Sequence, residues 1–383
     1  MILWIVLGAA FCAIAFAAHL ASIFTVIVRL RRRGGGGNTG NNNTVSILRP
    51  VCGIDNFVEE TLRSTFLLDH PRYEIIFCVA DRDDPVIPIV QKLIDAHPAI
   101  GARLLIGNTR VNANPKLNNL VKGWHASRYD WVLMVDSNVL MPTDYVARMF
   151  QAWGADTGLV CSPPLGCAPA NLWAELECAF LNTYQARWQC FADSIGLGFA
   201  QGKSMLWRRD LLDAAGGIAA LARELAEDAA ATKIVRGLGL RVRLVGRPFA
   251  QPLGYRSLAA VWHRQIRWAR LRRITFKWYF LPEIFSGACA PFVVAAATAA
   301  AAGWPVAGSV LPFLVAWYAA EALLAFLAGW PLSPRVIATW MLRDALLPLL
   351  WVAAWAGNEF EWRGNAMTVA APGLGELAAR QRM

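Results

Sequence analysis

The sequence predicts an α/β domain that lies between transmembrane helices. Residues 2–28 contain no Asp, Glu, Lys or Arg, and long apolar stretches return after residue 280. Between them, from residue 45 to about residue 255, short apolar runs alternate with amphipathic stretches. This alternation is typical of a mostly parallel sheet that helices cover on both faces. The composition, 56% hydrophobic and 17% charged, is shifted toward that of membrane proteins.

Residues 1–28 are predicted to form an uncleaved N-terminal transmembrane anchor. Their uncharged stretch exceeds the ~20 residues that cross a bilayer. A cleaved signal peptide would need a basic start and a shorter apolar core. Residues 29–44 are predicted to be a basic, Gly/Asn-rich and flexible linker. By the positive-inside rule, its arginines place the following domain in the cytoplasm; they are Arg29, Arg31, Arg32 and Arg33.

Residues 45–257 are predicted to form the α/β domain itself. Two amphipathic stretches, FVEETLRSTFLL and PVIPIVQKLIDAH, are predicted helices between its strands. In such a sheet, ligands bind outside the carboxyl ends of the strands. The predicted strands are TVSIL, YEIIFCV, ARLLIG, WVLMV and GLVCSP.

Two groups of polar side chains directly follow predicted strands. Asp81, Asp83 and Asp84 come after YEIIFCV, and Asp136 and Asn138 come after WVLMV. Loop aspartates often serve only to form turns, but two groups at parallel strand ends face the same crevice. Carboxylate and amide oxygens suit Mg²⁺ or Mn²⁺ carrying a diphosphate, so the second group is a candidate metal site.

Three further segments carry polar residues whose role the pattern alone leaves open. Lys116 lies in NPKLNNL, which predicts a proline-started helix N-terminus. Glu227 and Asp228 fall near the middle of a predicted helix, LARELAEDAAATKIVRGLG, where acids usually lie on a solvated face. GFAQGKSMLWRRDLL precedes a strand or helix but lacks the GxGxxG spacing of a dinucleotide site.

Residues 258–281 contain the densest basic stretch, WHRQIRWARLRR. It could bind nucleic acid, a membrane surface or an anionic group in an active site, and the net charge of +10 suits all three. A nucleic-acid binder would need a basic face on a soluble domain, whereas this stretch leads into a membrane segment, so we exclude nucleic acid as a partner. On a helix, Arg264 and Arg267 share a face.

Residues 282–357 are predicted to hold three transmembrane segments. Charges at membrane depth should face other helices and pair, so we predict an ion pair between Glu321 and Arg343. If all three segments cross, the tail, residues 358–383, lies outside the cytoplasm. Its charges are balanced, so the positive-inside rule does not decide the side of the tail. The predicted segments are residues 284–302, 306–330 and 336–357.

Taken in order, these motifs resemble the ceramide glucosyltransferase family, glycosyltransferase family 21, from about residue 48 to residue 273. The resemblance implies a catalytic domain of the GT-A type, with a nucleotide-sugar-binding α/β sheet and transmembrane helices at both ends. The matching stretches are ILRPVCGIDNFVEETLRSTF, YEIIFCVADRDDP, NPKLNNL, VDSNV, GKSMLWRRDLLDAAGG, LAEDAAATK and RQIRW.

The resemblance also implies roles for single residues. The uridine of a UDP-sugar would be bound by the first acidic group, with Asp84 the best family match beside Asp81 and Asp83. Lys116 would help to hold the nucleotide, and Asp136, beside Asn138, would bind a divalent metal, Mg²⁺ or Mn²⁺. The sequence here is Asp-Ser-Asn and lacks the second acid of the DxD pattern in many related transferases.

The remaining implied roles concern the reaction and the acceptor. Asp228 would be the general base, and Arg264, Arg267 and Trp268 would hold the diphosphate and shape the acceptor site. The expected enzyme is an inverting transferase that moves glucose from UDP-glucose to the primary hydroxyl of ceramide. It is expected in the bacterial inner (cell) membrane, with its catalytic domain in the cytoplasm and the bilayer and a lipid acceptor as partners.

Three other functions stay open at this point. A close variant would transfer N-acetylglucosamine from its UDP derivative to another lipid alcohol, such as a hopanoid polyol. A processive polysaccharide synthase shares the aspartates and the (Q/R)xxRW motif but usually has more membrane spans. A non-catalytic membrane scaffold predicts loss of at least one acidic motif residue, and every one is present.

Overall fold

The computed structural model describes residues 1–31, 43–362 and 365–368, and these fall into two compact units. The sheet unit comprises residues 25–170 and 185–255. The helical unit comprises residues 1–24, 171–184 and those from 256 onward. Most of the predicted linker, residues 32–42 with Arg32 and Arg33, lies outside the described residues, as do residues 363–364 and 369–383 of the predicted tail.

Eleven strands are described, and seven of them form the central sheet in the order β3-β2-β1-β4-β7-β5-β8. Six run in one direction and β7 runs antiparallel to its neighbours β4 and β5, so the prediction of a mostly parallel sheet is confirmed. β6 pairs with β9 in parallel, and β10 pairs with β11. The strands are β1 Val45–Val51, β2 Tyr73–Val79, β3 Gly101–Ile106, β4 Trp131–Val135, β5 Thr157–Cys161, β6 Pro164–Pro169, β7 Ser204–Arg208, β8 Arg241–Leu244, β9 Phe249–Gly254, β10 Glu359–Trp362 and β11 Asn365–Thr368.

The helices of the sheet unit cover a core that is nearly closed to solvent. Every residue of β1 is buried, as expected for a central strand with helices on both faces. Helix α1 begins the chain, and its first part belongs to the helical unit. The helices up to residue 237, of which α6 lies in the helical unit, are α1 Ile2–Arg31, α2 Val58–Arg63, α3 Ile87–Ala96, α4 Pro115–Ala126, α5 Tyr145–Gln151, α6 Leu172–Ala179, α7 Arg187–Ser194, α8 Arg209–Ala214 and α9 Glu227–Gly237.

The remaining helices all belong to the helical unit. Three helices of the described residues, α1, α13 and α14, are long and apolar enough to cross a membrane. The predicted span over residues 284–302 is not continuous, because the segment Lys277–Phe285, which ends in a 3-10 helix, meets α12 at a bend of 47°. At this break Gly287 packs directly against α14, where a Cβ would lie 2.6 Å from Leu347 Cδ1. The helices are α10 Leu258–Thr275, α11 Lys277–Phe280, α12 Cys289–Ala301, α13 Val306–Ala328 and α14 Val336–Trp355.

The predicted ion pair inside the helical unit is confirmed. Arg343 on α14 and Glu321 on α13 are both buried, and two guanidinium nitrogens each donate to a carboxylate oxygen of Glu321 at 3.0 Å. The same guanidinium donates to Asp344 at 2.8 Å and to the Thr183 hydroxyl at 2.7 Å. A buried guanidinium with this many acceptors avoids the cost of an unpaired buried charge.

The predicted position of Glu227 and Asp228 within their helix is wrong. Helix α9 begins at Glu227, so both acids occupy its first turn, and residues 218–223 form a separate 3-10 helix. Ala226, which precedes α9, is extended and has no side chain that could cap it. A helix N-terminus favours negative charge, so two carboxylates are well placed there.

Candidate active site

The antiparallel pairing of β4 with β7 brings two distant motifs together. Val135, the last residue of β4, pairs with Ser204, the first residue of β7. The residues just outside the two strands are therefore adjacent as well, and the Asp136 backbone N–H donates to the Lys203 carbonyl at 3.0 Å. This places the VDSN and GKS motifs side by side at the carboxyl edge of β4, where α/β sheets bind ligands.

Asp136 contacts two lysine ammonium groups. Its Oδ1 lies 2.7 Å from Lys116 Nζ and its Oδ2 lies 2.9 Å from Lys203 Nζ. Burial by itself would raise the pKa of Asp136, but the two ammonium groups outweigh it and hold that pKa well below its usual range. Asp136 is therefore an anion at neutral pH.

Lys116 is the centre of a charged cluster in the sheet unit. Besides Asp136, its ammonium contacts Glu227 Oε1 at 2.7 Å and donates to the Gly202 carbonyl. Burial disfavours the ammonium, yet the two carboxylates outweigh burial and raise the pKa of Lys116 above its ordinary value. An ammonium has three N–H donors, and these three contacts use them all.

Glu227 is fixed from the start of helix α4. Asn114 caps that helix by accepting from the Leu117 N–H at 3.1 Å, and its amide donates to Glu227 Oε2 at 2.6 Å. The NPK motif therefore contributes a helix cap that holds Glu227 and a lysine that neutralises it. Gly202 approaches so closely that a Cβ there would lie 2.7 Å from Glu227 Oε1, which explains the glycine.

Asp228 lies beside this cluster on the first turn of α9. Its Oδ2 accepts from the Gly202 N–H at 3.1 Å and its Oδ1 from the Ala229 N–H at 2.8 Å. Burial and, after it, the neighbouring Glu227 carboxylate raise the pKa of Asp228 to about 6. A carboxylate with a pKa near neutrality is suited to accept a proton during a reaction.

A buried arginine supports the loop that carries Asp136 and Asn138. Arg49, in the middle of β1, is completely buried, and its guanidinium donates to the Ser137 carbonyl at 3.1 Å and the Val139 carbonyl at 3.3 Å. The Thr61 hydroxyl donates to the same Ser137 carbonyl at 2.6 Å. These contacts satisfy buried carbonyls and fix the loop, a role that we did not predict for the arginine in ILRP.

The first acidic group follows β2 at the same edge of the sheet. Asp84 is half-buried and accepts with both oxygens from the Gly53 N–H, at 2.9 and 3.0 Å, and from the Val86 N–H at 2.9 Å. It thus ties the loop after β1 to the start of α3. Asp81 and Asp83 are exposed, and Asp81 accepts from the Asp83 N–H at 3.0 Å.

Arg264, Arg267 and Trp268 lie on α10 in the helical unit, on one continuous helix as predicted. Arg264 forms an ion pair with the buried Glu177 of α6, and Arg256 lies 3.5 Å from the same carboxylate. Sequence reasoning did not identify Glu177 as their partner. The RxxRW motif is therefore anchored to its own unit through its first arginine.

The metal prediction can be tested against the side chains present. The described residues contain no group of three His, Cys, Asp or Glu side chains arranged to hold an ion. Asp136 Oδ2 and Asn138 Oδ1 nevertheless converge on one point, since Lys203 Nζ lies 2.9 Å from the first and 3.3 Å from the second. Two oxygen ligands fit an ion such as Mg²⁺, which takes its remaining ligands from water and substrate phosphates.

Comparison with known proteins identifies related sequences over most of the chain. The model of glycosyl transferase family 21 matches residues 14–374. Ceramide glucosyltransferase 3 of Caenorhabditis elegans is 25% identical over 334 residues, which are 85% of this chain and 72% of that protein. The ceramide glucosyltransferase of Komagataella phaffii is 30% identical over 287 residues, which are 60% of this chain and 56% of that protein.

Comparison with solved structures gives the fold. A mannosyltransferase from Pyrobaculum calidifontis, whose structure is a complex with GDP-Man and Mn²⁺, matches with a TM-score of 0.54 at 20% identity. The match covers 92% of this chain and 98% of that one. The predicted GT-A fold with apolar helices at both ends is thereby confirmed.

Proposed function

The chain belongs to glycosyl transferase family 21, and from this premise we propose that it transfers glucose from UDP-glucose to the primary hydroxyl of ceramide. The observation that carries the proposal is the cluster of Asp136, Lys116, Glu227 and Asp228 at the carboxyl edge of the sheet. In this cluster Asp228, whose pKa is about 6, lies near Asp136, which stays ionised. Two carboxyl groups with separated pKa values can take two roles, proton acceptor and permanent anion. The ceramide glucosyltransferases among its relatives support the acceptor.

Asp228 is the general base in this proposal. Its carboxylate takes the proton from the acceptor hydroxyl while the hydroxyl oxygen attacks the anomeric carbon of the sugar. Gly202 and Ala229 donate their N–H groups to the carboxylate and so orient it. The bond from the anomeric carbon to the UDP oxygen breaks as the new bond forms, so an α-linked donor gives a β-glycoside.

The other motif residues bind the donor and stabilise the departing UDP. Asp81, Asp83 and Asp84 form the uridine-binding group, and Asp84 in addition holds the loop after β1. Arg264, Arg267 and Trp268 bind the diphosphate and shape the acceptor site, as the family resemblance implies. A divalent metal held by Asp136 and Asn138 would supply positive charge to the diphosphate. Lys203, which contacts both of these residues, must then turn aside.

The flanking helices support a location in a membrane. The apolar helices make the chain membrane-associated, and we propose that it lies in the bacterial inner membrane with the sheet unit in the cytoplasm. Arg29 and Arg31 lie in the last turn of helix α1, which already belongs to the sheet unit, in agreement with the positive-inside rule. A cytoplasmic site gives access to UDP-sugars and to the lipids of the inner leaflet.

Transfer assays with purified protein in lipid nanodiscs test the proposal. Labelled UDP-glucose and UDP-N-acetylglucosamine are each offered with ceramide or with a hopanoid polyol, and the products are identified by mass spectrometry. We expect β-glucosylceramide. A product found only with UDP-N-acetylglucosamine and the polyol would show that these are the substrates instead of UDP-glucose and ceramide. Long oligosaccharides would indicate a processive synthase. Absence of any sugar transfer with every pair would contradict the proposed activity.

The raised pKa of Asp228 predicts the acid limb of the pH–rate profile. The base must be ionised, so kcat/KM should fall as the pH drops through about 6. Glu227→Gln removes the neighbouring negative charge that raises this pKa, so the limb should move to lower pH. The matched control is Glu224→Gln, which removes an acid that pairs with Lys233 instead. An acid limb that stays in place in the Glu227 variant would show that Asp228 is not the titrating base.

The shared position of Lys203 and a divalent ion predicts competition between them. In Lys203→Gln the competing ammonium is gone, and Mn²⁺ should bind about tenfold more tightly, a difference of about 1.4 kcal/mol. Binding is measured by Mn²⁺ electron paramagnetic resonance in the presence of UDP. Lys122→Gln, which removes a lysine that donates to the Gly107 and Asn119 carbonyls, is the control. Unchanged Mn²⁺ affinity in the Lys203 variant would show that the metal does not bind at the position of the Lys203 ammonium.

A further inference from the structure

Helix α14 contacts α6, the residues that follow α6, and α10 at successive points from its start to its end. Just before α14, the Ser333 hydroxyl donates to Glu175 of α6 at 2.8 Å. At its middle, Arg343 donates to Thr183, which follows α6 in the chain. At its C-terminal end, the Trp355 carbonyl accepts from Arg273 of α10 at 3.4 Å, and the guanidinium of Arg273 lies 5.4 Å from the Trp355 ring. The two ends of α14 thus lie beside α6 and α10.

Helix α10 cannot cross a lipid bilayer. An arginine at the centre of a membrane costs about 2.5–3.5 kcal/mol, and α10 carries five of them along its 18 residues. α6 and α10 are joined by the ion pair of Glu177 with Arg264. If α14 crossed the membrane, its contacts with Glu175 and Arg273 would draw the segment of α10 from Arg264 to Arg273 through the hydrocarbon core.

The other apolar segments account for the crossings without α14, because residues 277–285 and α12 together are long and apolar enough for one bent span. α12 runs antiparallel to α1, because Pro291 accepts from Cys12 near its start and Thr298 packs against Gly8 near its end. α13 returns along α1, where the Trp317 carbonyl lies 3.1 Å from His19 Nε2. The chain then reaches Ser333 beside α6. One passage out through α12 and one back through α13 return the chain to the side of α6 and α10.

The exposed side of α14 is continuously apolar. Polar and large residues such as Thr339, Arg343 and Asp344 face the protein and are buried. The exposed stripe follows helical spacing, and its larger members are 38% to 57% exposed. Such a stripe is suited to lipid hydrocarbon and not to water. Its residues are Ile337, Met341, Ala345, Leu349 and Val352.

We infer that α14 does not cross the membrane but lies in the plane of one leaflet, on the same side as α10, with this apolar stripe resting on lipid hydrocarbon. The crossing segments are then α1, α13 and the bent segment that residues 277–285 form with α12, and the end of α14 lies on the same side as α10. This arrangement differs from the three C-terminal spans predicted from the sequence. This inference is independent of which sugar and which lipid react, since it rests only on contacts within the helical unit.

Depth measurements distinguish the two arrangements. Single cysteines at Ile337, Ala345 and Val352, in a background without the native cysteines, are spin-labelled in liposomes, and their depth is measured by collision with oxygen and a nickel chelate. An in-plane helix gives one common depth. A spanning helix, rising 1.5 Å per residue, separates the first and last label by about 22 Å along the membrane normal. Labels at Leu311 and Leu323 of α13 provide the spanning reference. A deep central label between two shallow ones on α14 would overturn the inference.

The side of the membrane provides a second, independent test. Ala259→Cys marks the start of α10, Ala356→Cys marks the end of α14, and Trp304→Cys marks the turn between α12 and α13; all three positions are exposed. We expect a membrane-impermeant maleimide to label the first two from the same side of sealed vesicles and Trp304→Cys from the other. Labelling of Ala356→Cys together with Trp304→Cys would show that α14 crosses. Variants are used only when their thermal transition matches that of the parent protein.

Discussion

Asp228→Asn should reduce sugar transfer about 10²- to 10⁴-fold, the usual contribution of a general base. Asparagine has the same shape as aspartate and can still accept from the Gly202 N–H, so the geometry of the loop and of α9 should be kept. It cannot take up the proton of the acceptor hydroxyl. The loss should therefore appear in kcat, while the affinity for the UDP-sugar stays within about twofold, since binding and proton transfer are separate interactions.

The measurement compares single-turnover transfer with UDP-sugar binding by calorimetry in the same detergent. Asp95→Asn is the matched control, because Asp95 is an exposed aspartate on α3 whose contact is with Gln91. Its kinetics should equal those of the parent protein. Normal turnover in Asp228→Asn would contradict the base assignment. Loss of UDP-sugar binding together with turnover would instead give Asp228 a role in holding the donor.

The elements of the sheet unit could be predicted because each has a local signal. The runs TVSIL and YEIIFCV match β1 and β2, and the proline in NPK marks the start of α4. The reversed direction of β7 has no such signal, because it is a property of strand pairing. The start of α9 was misplaced for a local reason: Ala226 gives no capping signal in an alanine-rich stretch.

The individual acids of the site could be predicted, but their partners could not. Asn114 and Glu227 are 113 positions apart in the chain, and only the fold brings them into contact. Glu177 likewise has no sequence feature that assigns it to Arg264. For α14, composition indicates a span, since 20 mostly apolar residues are typical of one. The in-plane arrangement that we propose rests instead on contacts with α6 and α10, which no sequence feature indicates.

Lys116 takes no part in the proposed proton transfer. Among such residues, we expect its replacement, Lys116→Met, to lower stability and transfer activity the most. It leaves Glu227 without its ammonium and Asp136 with Lys203 alone. Breaking a buried ion pair by removing one partner costs about 3–5 kcal/mol. The free energy of unfolding should fall by about this amount, and transfer should fall at least about 10²-fold, because the two carboxylates must then separate or bind protons.

A double substitution separates this role from the nucleotide contact that the family resemblance implies. Glu227→Gln removes one of the two carboxylates that Lys116 neutralises, so Lys116→Met with Glu227→Gln should recover part of the lost stability. Lys122→Met, on the same helix but without a carboxylate partner, should cost less. Thermal unfolding and UDP affinity are measured for the parent protein, Lys116→Met, Glu227→Gln, the double variant and Lys122→Met. If Lys116 acted only by touching the nucleotide, Lys116→Met would weaken UDP binding and leave stability unchanged. The ammonium would then not be what holds Asp136 and α9 together.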